Sequence, residues 1–169
     1  MQTNYGTSVT PFYTTLALWV GGIVLVALMK VKVDYEDDEF KDATEHQKYI
    51  GRALLFLAMG QLQALVVVLG DLYILKIDCT HPFMLWLAAA ITSFVFTLFI
   101  YTLVLTFGDL GKAIAVVMIV LQIAGSGGTY PIELLPEFFQ NVYLYFPFPY
   151  AINAMREAIS GLYLSLIHI

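Results

Sequence analysis

Four long apolar runs separated by short polar connections dominate the chain. The first extends from about Pro11 to Met29, with Phe12, Tyr13 and Trp19 toward its leading end and Lys30 and Lys32 directly after it. The second covers about Ala53 to Leu75, the third about Phe83 to Phe107 and the fourth about Leu110 to Ser126. Crossing a bilayer takes roughly 20 apolar residues in helical form, because the hydrocarbon offers no water and the backbone must satisfy its own hydrogen bonds. Each run reads as one crossing, so the pattern predicts an all-α, polytopic bundle of four transmembrane helices.

Polar residues inside these runs are few. The second run contains Gln61 and Gln63 as candidate intramembrane polar residues. Gln61, with Thr92 and Ser93 in the third run and Gln122 in the fourth, is expected to mark sides that face protein or water, since lipid cannot hydrogen-bond them. Interhelical hydrogen bonding is the preferred explanation over a substrate path. Asp71 lies near the far end of the second run, and Gly21 and Gly22 in the first allow close helix approach, itself a weak association signal.

The stretch after the fourth run, as far as Ile159, is apolar yet too broken to cross. Gly125, Gly127 and Gly128, then Pro131, Pro136, Pro147 and Pro149, cut it into short pieces. Aromatics crowd it: Tyr130, Phe138, Phe139, Tyr143, Tyr145, Phe146, Phe148 and Tyr150. Rings at this density belong at headgroup level, so the stretch reads as an interfacial helical hairpin over about residues 130–161 on the outer side of the bundle. Pro136 suits the first turn of its first helix, and the second should begin near Tyr150, with Ala151, Ala154, Met155 and Ala158 on a tight-packing face. The alternative is a surface loop packed on another domain.

Charge is concentrated in one place. Residues 34–51, DYEDDEFKDATEHQKYIG, can pair Asp37 with Lys41 at i,i+4 and align Phe40, Ala43, Gln47 and Ile50, which predicts a short amphipathic helix. It is either a coupling element that docks on an ATPase subunit or a solvated loop helix. Lys30, Lys32, Lys41, Lys48 and Arg52 in the first connection, with Lys112 in the third, outnumber Lys76 and Arg156 on the other side, so the first and third connections are expected inside.

Composition narrows the function classes. Hydrophobic residues make up 60% of the 169 positions and charged ones 12%, with a mean hydropathy of +0.79; soluble domains carry about 25% charged residues. The expected environment is therefore the lipid bilayer. A net charge of −5 gives no reason to expect nucleic-acid binding, and the single cysteine, Cys79, permits no internal disulfide. No constellation for nucleophilic catalysis, paired-carboxylate chemistry or metal ligation is evident, so no enzyme, cofactor or metal is expected. The polar opening before Pro11 lacks a basic signal-peptide start, which suggests that Met1 is internal to a longer protein. Residues 164–169, LSLIHI, look like a translated sequencing adapter, leaving residues 1–163 as one membrane domain.

The run AGSGGTYPIELLPEFFQNVYLYFPFPYAINAMREAISG closely resembles the end of the YhgE/Pip (phage infection protein) family, whose membrane part is similar to an ABC-2 type permease. Gly125, Gly127, Gly128, Pro131, Pro136, Phe139, Pro147, Tyr150, Asn153, Ala154 and Arg156 carry the resemblance, and Leu16 to Gly22 resembles the family's first C-terminal span. The resemblance implies a C-terminal membrane domain of a bacterial plasma-membrane protein, working as a homodimer in export or secretion with a separate ATPase subunit. It also implies an earlier span, a large extracellular region and one further span after Gly161. The alternative is a non-transporting anchor or scaffold of a cell-surface protein, such as a phage receptor or a type VII secretion component.

Overall fold

In a computed structural model, residues 5–31, 44–125, 134 and 136–161 are described. They form α1 (Tyr5–Leu28), α2 (Glu45–Leu69) with a π-helical turn (Gly70–Ile74), α3 (Pro82–Phe107), α4 (Asp109–Gly125), α5 (Glu137–Val142) with a 3₁₀ turn (Tyr143–Tyr145), and α6 (Pro147–Ser160). Among the described residues, three helices are long and apolar enough to cross a membrane: 6–28, 45–74 and 82–107. The fourth expected span, α4, has 17 residues. At 1.5 Å per residue this is about 26 Å, against a hydrocarbon core of about 30 Å.

Helix starts explain where the elements differ from the sequence reading. Thr44 caps α2 in a reciprocal box: its hydroxyl accepts from the Gln47 amide while the Gln47 side chain accepts from the Thr44 N–H at 2.9 Å. Residues 45–51 are therefore the first turns of α2 and not the end of a separate amphipathic helix. The remainder of that expected helix, with Asp37 and Lys41, lies outside the described residues. In α1 the helix begins before Pro11, which sits inside it.

The parallel helices α1 and α3 form the centre, each touching α2, α4 and α6. The flanking helices all run the other way, as the paired levels show. Gln63 of α2 meets Ala17 of α1 and Gln61 meets Ala90 of α3; Ala115 of α4 meets Trp19; Met155 of α6 meets Thr15. Buried positions recur every three or four residues, as at Leu85, Ala89, Thr92, Phe96, Ile100 and Val104 of α3, the spacing of an inward helical stripe. Many outward side chains are large and apolar, such as Leu54, Leu62 and Val66 of α2, which are 60%, 55% and 60% exposed. Water would oppose such a surface and lipid would not.

Trp19, expected among leading-end aromatics, is fully buried at the centre. Its indole meets Phe96 and Phe148 edge-on at 4.9 and 5.6 Å between centroids, and its Nε1–H donates to the Ala115 carbonyl at 3.2 Å. Phe96 and Phe148 stack at 5.5 Å. Phe12 is buried as well, whereas Tyr13 is exposed.

The position of Phe148 changes the picture of the segment expected to lie at the interface. α6 does not lie along the surface. It enters the bundle, its first turn level with Trp19 and Phe96 and its last turn beside Thr80 and His81, where α3 begins. The Thr80 and His81 amides donate to the Ile159 and Ala158 carbonyls at 3.0 and 3.2 Å. Between these levels lie about 20 Å of α3, so α6 is a re-entrant helix reaching past half the depth of its neighbours. Pro147 and Pro149 stand in its first turn rather than in a connecting turn. Phe148, Ile152, Met155 and Ile159 face inward with Ala151 and Ala158, whereas Ala154, expected on that face, is exposed.

Candidate functional site

The polar interior at the α1 N-terminal end is the strongest concentration of chemistry in the bundle. Thr7, Thr10 and Thr14 recur at i, i+3 and i+7 on the buried side of α1, and Thr15 is fully buried beside them. In lipid a hydroxyl needs a partner, and two of these use their own helix. Thr10 donates to the Gly6 carbonyl at 2.8 Å and Thr15 to that of Pro11 at 2.7 Å, with the Met155 sulfur 3.5 Å from the Thr15 oxygen. Thr14 reaches across instead, donating to Oδ2 of Asp71 at 2.6 Å.

Asp71 is 7% exposed and lies in the π-helical turn. The wide turn is closed by the Leu75 N–H donating to the Gly70 carbonyl at 3.0 Å. Asp71 continues the buried stripe of Gly60, Ala64 and Val68, so the acid projects into the bundle and not toward lipid. An ionisable side chain within a membrane helix is costly, and π turns recur at functional sites. The Thr14–Asp71 pair is thus both a tether between α1 and α2 and the leading candidate for chemistry.

The glutamines divide into two kinds. The Gln61 Nε2 donates to the Ala90 carbonyl at 3.0 Å and the Gln63 Nε2 to that of Ala17 at 3.1 Å, so both bind neighbouring helices. Ser93 does the same, its hydroxyl donating to the Gly60 carbonyl at 2.7 Å. Gly60 permits this approach, since a Cβ there would lie 2.5 Å from Thr97 Oγ1 and 3.2 Å from Ser93 Oγ. At Gly21 a Cβ would strike the Gln63 amide. Gln122 differs: it is fully buried on the inward stripe of α4, and among the described residues neither its amide nitrogen nor its oxygen has a hydrogen-bond partner. From the Trp19–Ala115 contact, Gln122 stands about 10 Å further along α4, level with the threonine-rich part of α1.

Of the residues that carry the family resemblance, Gly125 is buried at the end of α4, Pro136 precedes α5, and Pro147 opens α6. Tyr150 and Asn153 are exposed, the Tyr150 hydroxyl donating to the Leu144 carbonyl at 2.9 Å, and Arg156 is half-buried. Gly127, Gly128 and Pro131 lie outside the described residues. Among the described residues of this set, Gly125, Pro136 and Pro147 stand at or next to the ends of helices. The aromatic cluster, the threonine stripe and the partnering of Asp71 were missed in the sequence, although polar residues at i, i+3 and i+7 at the start of an apolar run were the available signal.

At the opposite end, a cleft of about 420 Å³ opens between the end of α1 and the α3–α4 turn, bordered by Lys30, Val31, Val104, Asp109 and Lys112. Lys112 pairs with Asp109 at 3.0 Å. The turn itself depends on Gly108, whose φ of +61° favours glycine.

These features define a polytopic α-helical membrane protein with a re-entrant helix packed into its core. The family model of the ABC-2 type transporter matches residues 46–159, and the chain belongs to that family. It is 32% identical over 158 residues to a Bacillus subtilis (strain 168) protein described as "Uncharacterized protein YhgE". That match covers 94% of this chain and 20% of the relative, so the chain spans about a fifth of the relative's length. No solved structure matches.

Proposed function

We propose that the chain is the C-terminal membrane domain of a YhgE-like exporter of the bacterial plasma membrane, acting as a homodimer powered by a separate ATPase subunit. Family membership across residues 46–159 carries this reading. In this reading the 17-residue α4 is a fourth, short crossing. The first and third connections, which together hold most of the Lys and Arg, face the cytoplasm, which leaves the α6 C-terminus and Thr80 at the outer surface. Residues 34–51, which end in the first turns of α2, then face an ATPase, and α6 closes the outer half of the bundle.

A non-transporting scaffold of a cell-surface protein is the second reading, favoured by one observation. Gln61, Gln63 and Ser93 spend their hydrogen bonds joining helices rather than lining a path, the use of intramembrane polar groups that a static anchor needs. Copurification of the full-length protein with its ATPase, and loss of both the association and secretion when the acids among residues 34–39 are neutralised, tests the proposal. Secretion that persists with every candidate ATPase inactivated would sink the exporter and leave the scaffold.

A further inference from the structure

A shallow groove of about 210 Å³ runs between α3 and α6 on the outward surface, at the end of the bundle where α6 terminates. Met84, Leu87 and Ile91 form its α3 wall, 43%, 40% and 58% exposed. The small side chains Ala88, Ala154 and Ala158 leave it open. Among the described residues, the ionisable groups that line it are His81 and Glu157. His81 immediately precedes α3, so the polar group stands where the helix leaves the membrane. Arg156 is roughly 100° around α6 from Glu157 and does not line the groove.

We propose that this groove binds one phospholipid with an amine-bearing headgroup, from the leaflet at that end of the bundle. Three observations fix the occupant. The flanking helices are membrane elements, so the solvent of the open side is hydrocarbon. From His81 to Ile91 the groove follows α3 for about 15 Å, half of a roughly 30 Å hydrocarbon core, so it is as long as one leaflet's acyl chain is deep. The polar end also offers complementary chemistry: the Glu157 carboxylate for an ammonium group and the His81 imidazole as a donor to the phosphate. A headgroup without an ammonium would bring no countercharge to Glu157.

The test uses the full-length protein in phosphatidylethanolamine nanodiscs containing a phosphatidylethanolamine probe with a mid-chain diazirine, photolysed and mapped by peptide mass spectrometry. Adducts are expected on Met84, Leu87 and Ile91 in excess over Leu62 and Val66, exposed α2 residues at the same depth. The excess should fall when the probe is phosphatidylglycerol, and should drop to the α2 level in Ala154→Trp, which fills the groove. Glu157→Gln, a surface change that leaves packing intact, should abolish the headgroup preference. Groove labelling no higher than that of α2 means ordinary boundary lipid and overturns the proposal. An unlabelled groove beside a labelled α2 means that a protein segment or a second copy covers it, and overturns it equally. A headgroup preference that survives Glu157→Gln removes the assigned recognition.

Discussion

The Thr14 hydroxyl lies 2.6 Å from Oδ2 of Asp71, joining α1 to α2 at the same end of the bundle where α6 terminates. Both residues are buried, so neither can exchange its partner for water without the helices parting. Thr14→Val removes the donor and strands the acid, and is expected to destabilise the protein by about 1–3 kcal/mol. The double change Thr14→Val with Asp71→Leu should recover most of that loss, because both polar groups are then gone. Thermal unfolding of the four proteins in one detergent measures the cycle, and strict additivity would show that the pair is not coupled.

Gln122 gives the opposite expectation. Its amide is enclosed without hydrogen bonds among the described residues, and an unsatisfied buried polar group costs about 1–3 kcal/mol. Gln122→Leu is therefore expected to raise the unfolding temperature. If transport falls at the same time, the amide acts on a polar group that passes through the bundle. A lowered unfolding temperature would show that the amide is satisfied in the membrane.

Gly111 and Gly51 separate close packing from helix propensity. A Cβ at Gly111 would lie 2.8 Å from the Leu103 carbonyl carbon and 2.8 Å from Val104 Cα, main-chain atoms that cannot rotate away, whereas at Gly51 nothing lies within 4 Å. Gly111→Ala should force α4 from α3 and cost about 1–3 kcal/mol; Gly51→Ala should be neutral or stabilising by up to about 1 kcal/mol. Equal effects on detergent stability would contradict the α3–α4 packing.

Cys79 reports both orientation and burial. Burial raises its thiol above the usual 9.0, outweighing the lowering by its backbone hydrogen bond with His81, and its Sγ lies 3.6 Å from the Ala158 carbonyl. The thiolate is the reacting species, so alkylation should be slow at neutral pH and accelerate as pH rises through and beyond that value. An impermeant maleimide added outside cells should reach Cys79 in alkaline buffer. Glu45→Cys, made with Cys79→Ser, should label only after permeabilisation. The reverse pattern would invert the orientation.

The long helices were legible because lipid imposes a length requirement that apolar runs meet residue by residue. α2 and α3 appear where the pattern placed them, with α2 starting earlier because the Thr44–Gln47 cap extends it. The depth of α6 was not legible. Prolines at 147 and 149 read as breaks in a chain, and only tertiary packing of Phe148 on Trp19 and Phe96 reveals them as the start of a helix inside the bundle. Gln61 and Gln122 were recognisable as inward-facing, but their different fates depend on which carbonyl each amide reaches, and this is set by helix rotation.

The two ends of α6 are chemically unequal, and this fixes which one can be deep. A helix start leaves four amide hydrogens without intrahelical partners; Pro147 and Pro149 remove two of them at the level of Trp19, where no water would replace a lost bond. No amino acid deletes a carbonyl oxygen in the same way. The carbonyl end must therefore meet donors, and Ala158 and Ile159 meet the amides of His81 and Thr80. Main-chain donors cannot be lost by substituting those two residues, except with proline. A segment of this composition can thus plunge into a bilayer tail-outward but not head-outward, so the direction of the dip is encoded by the imino acids themselves.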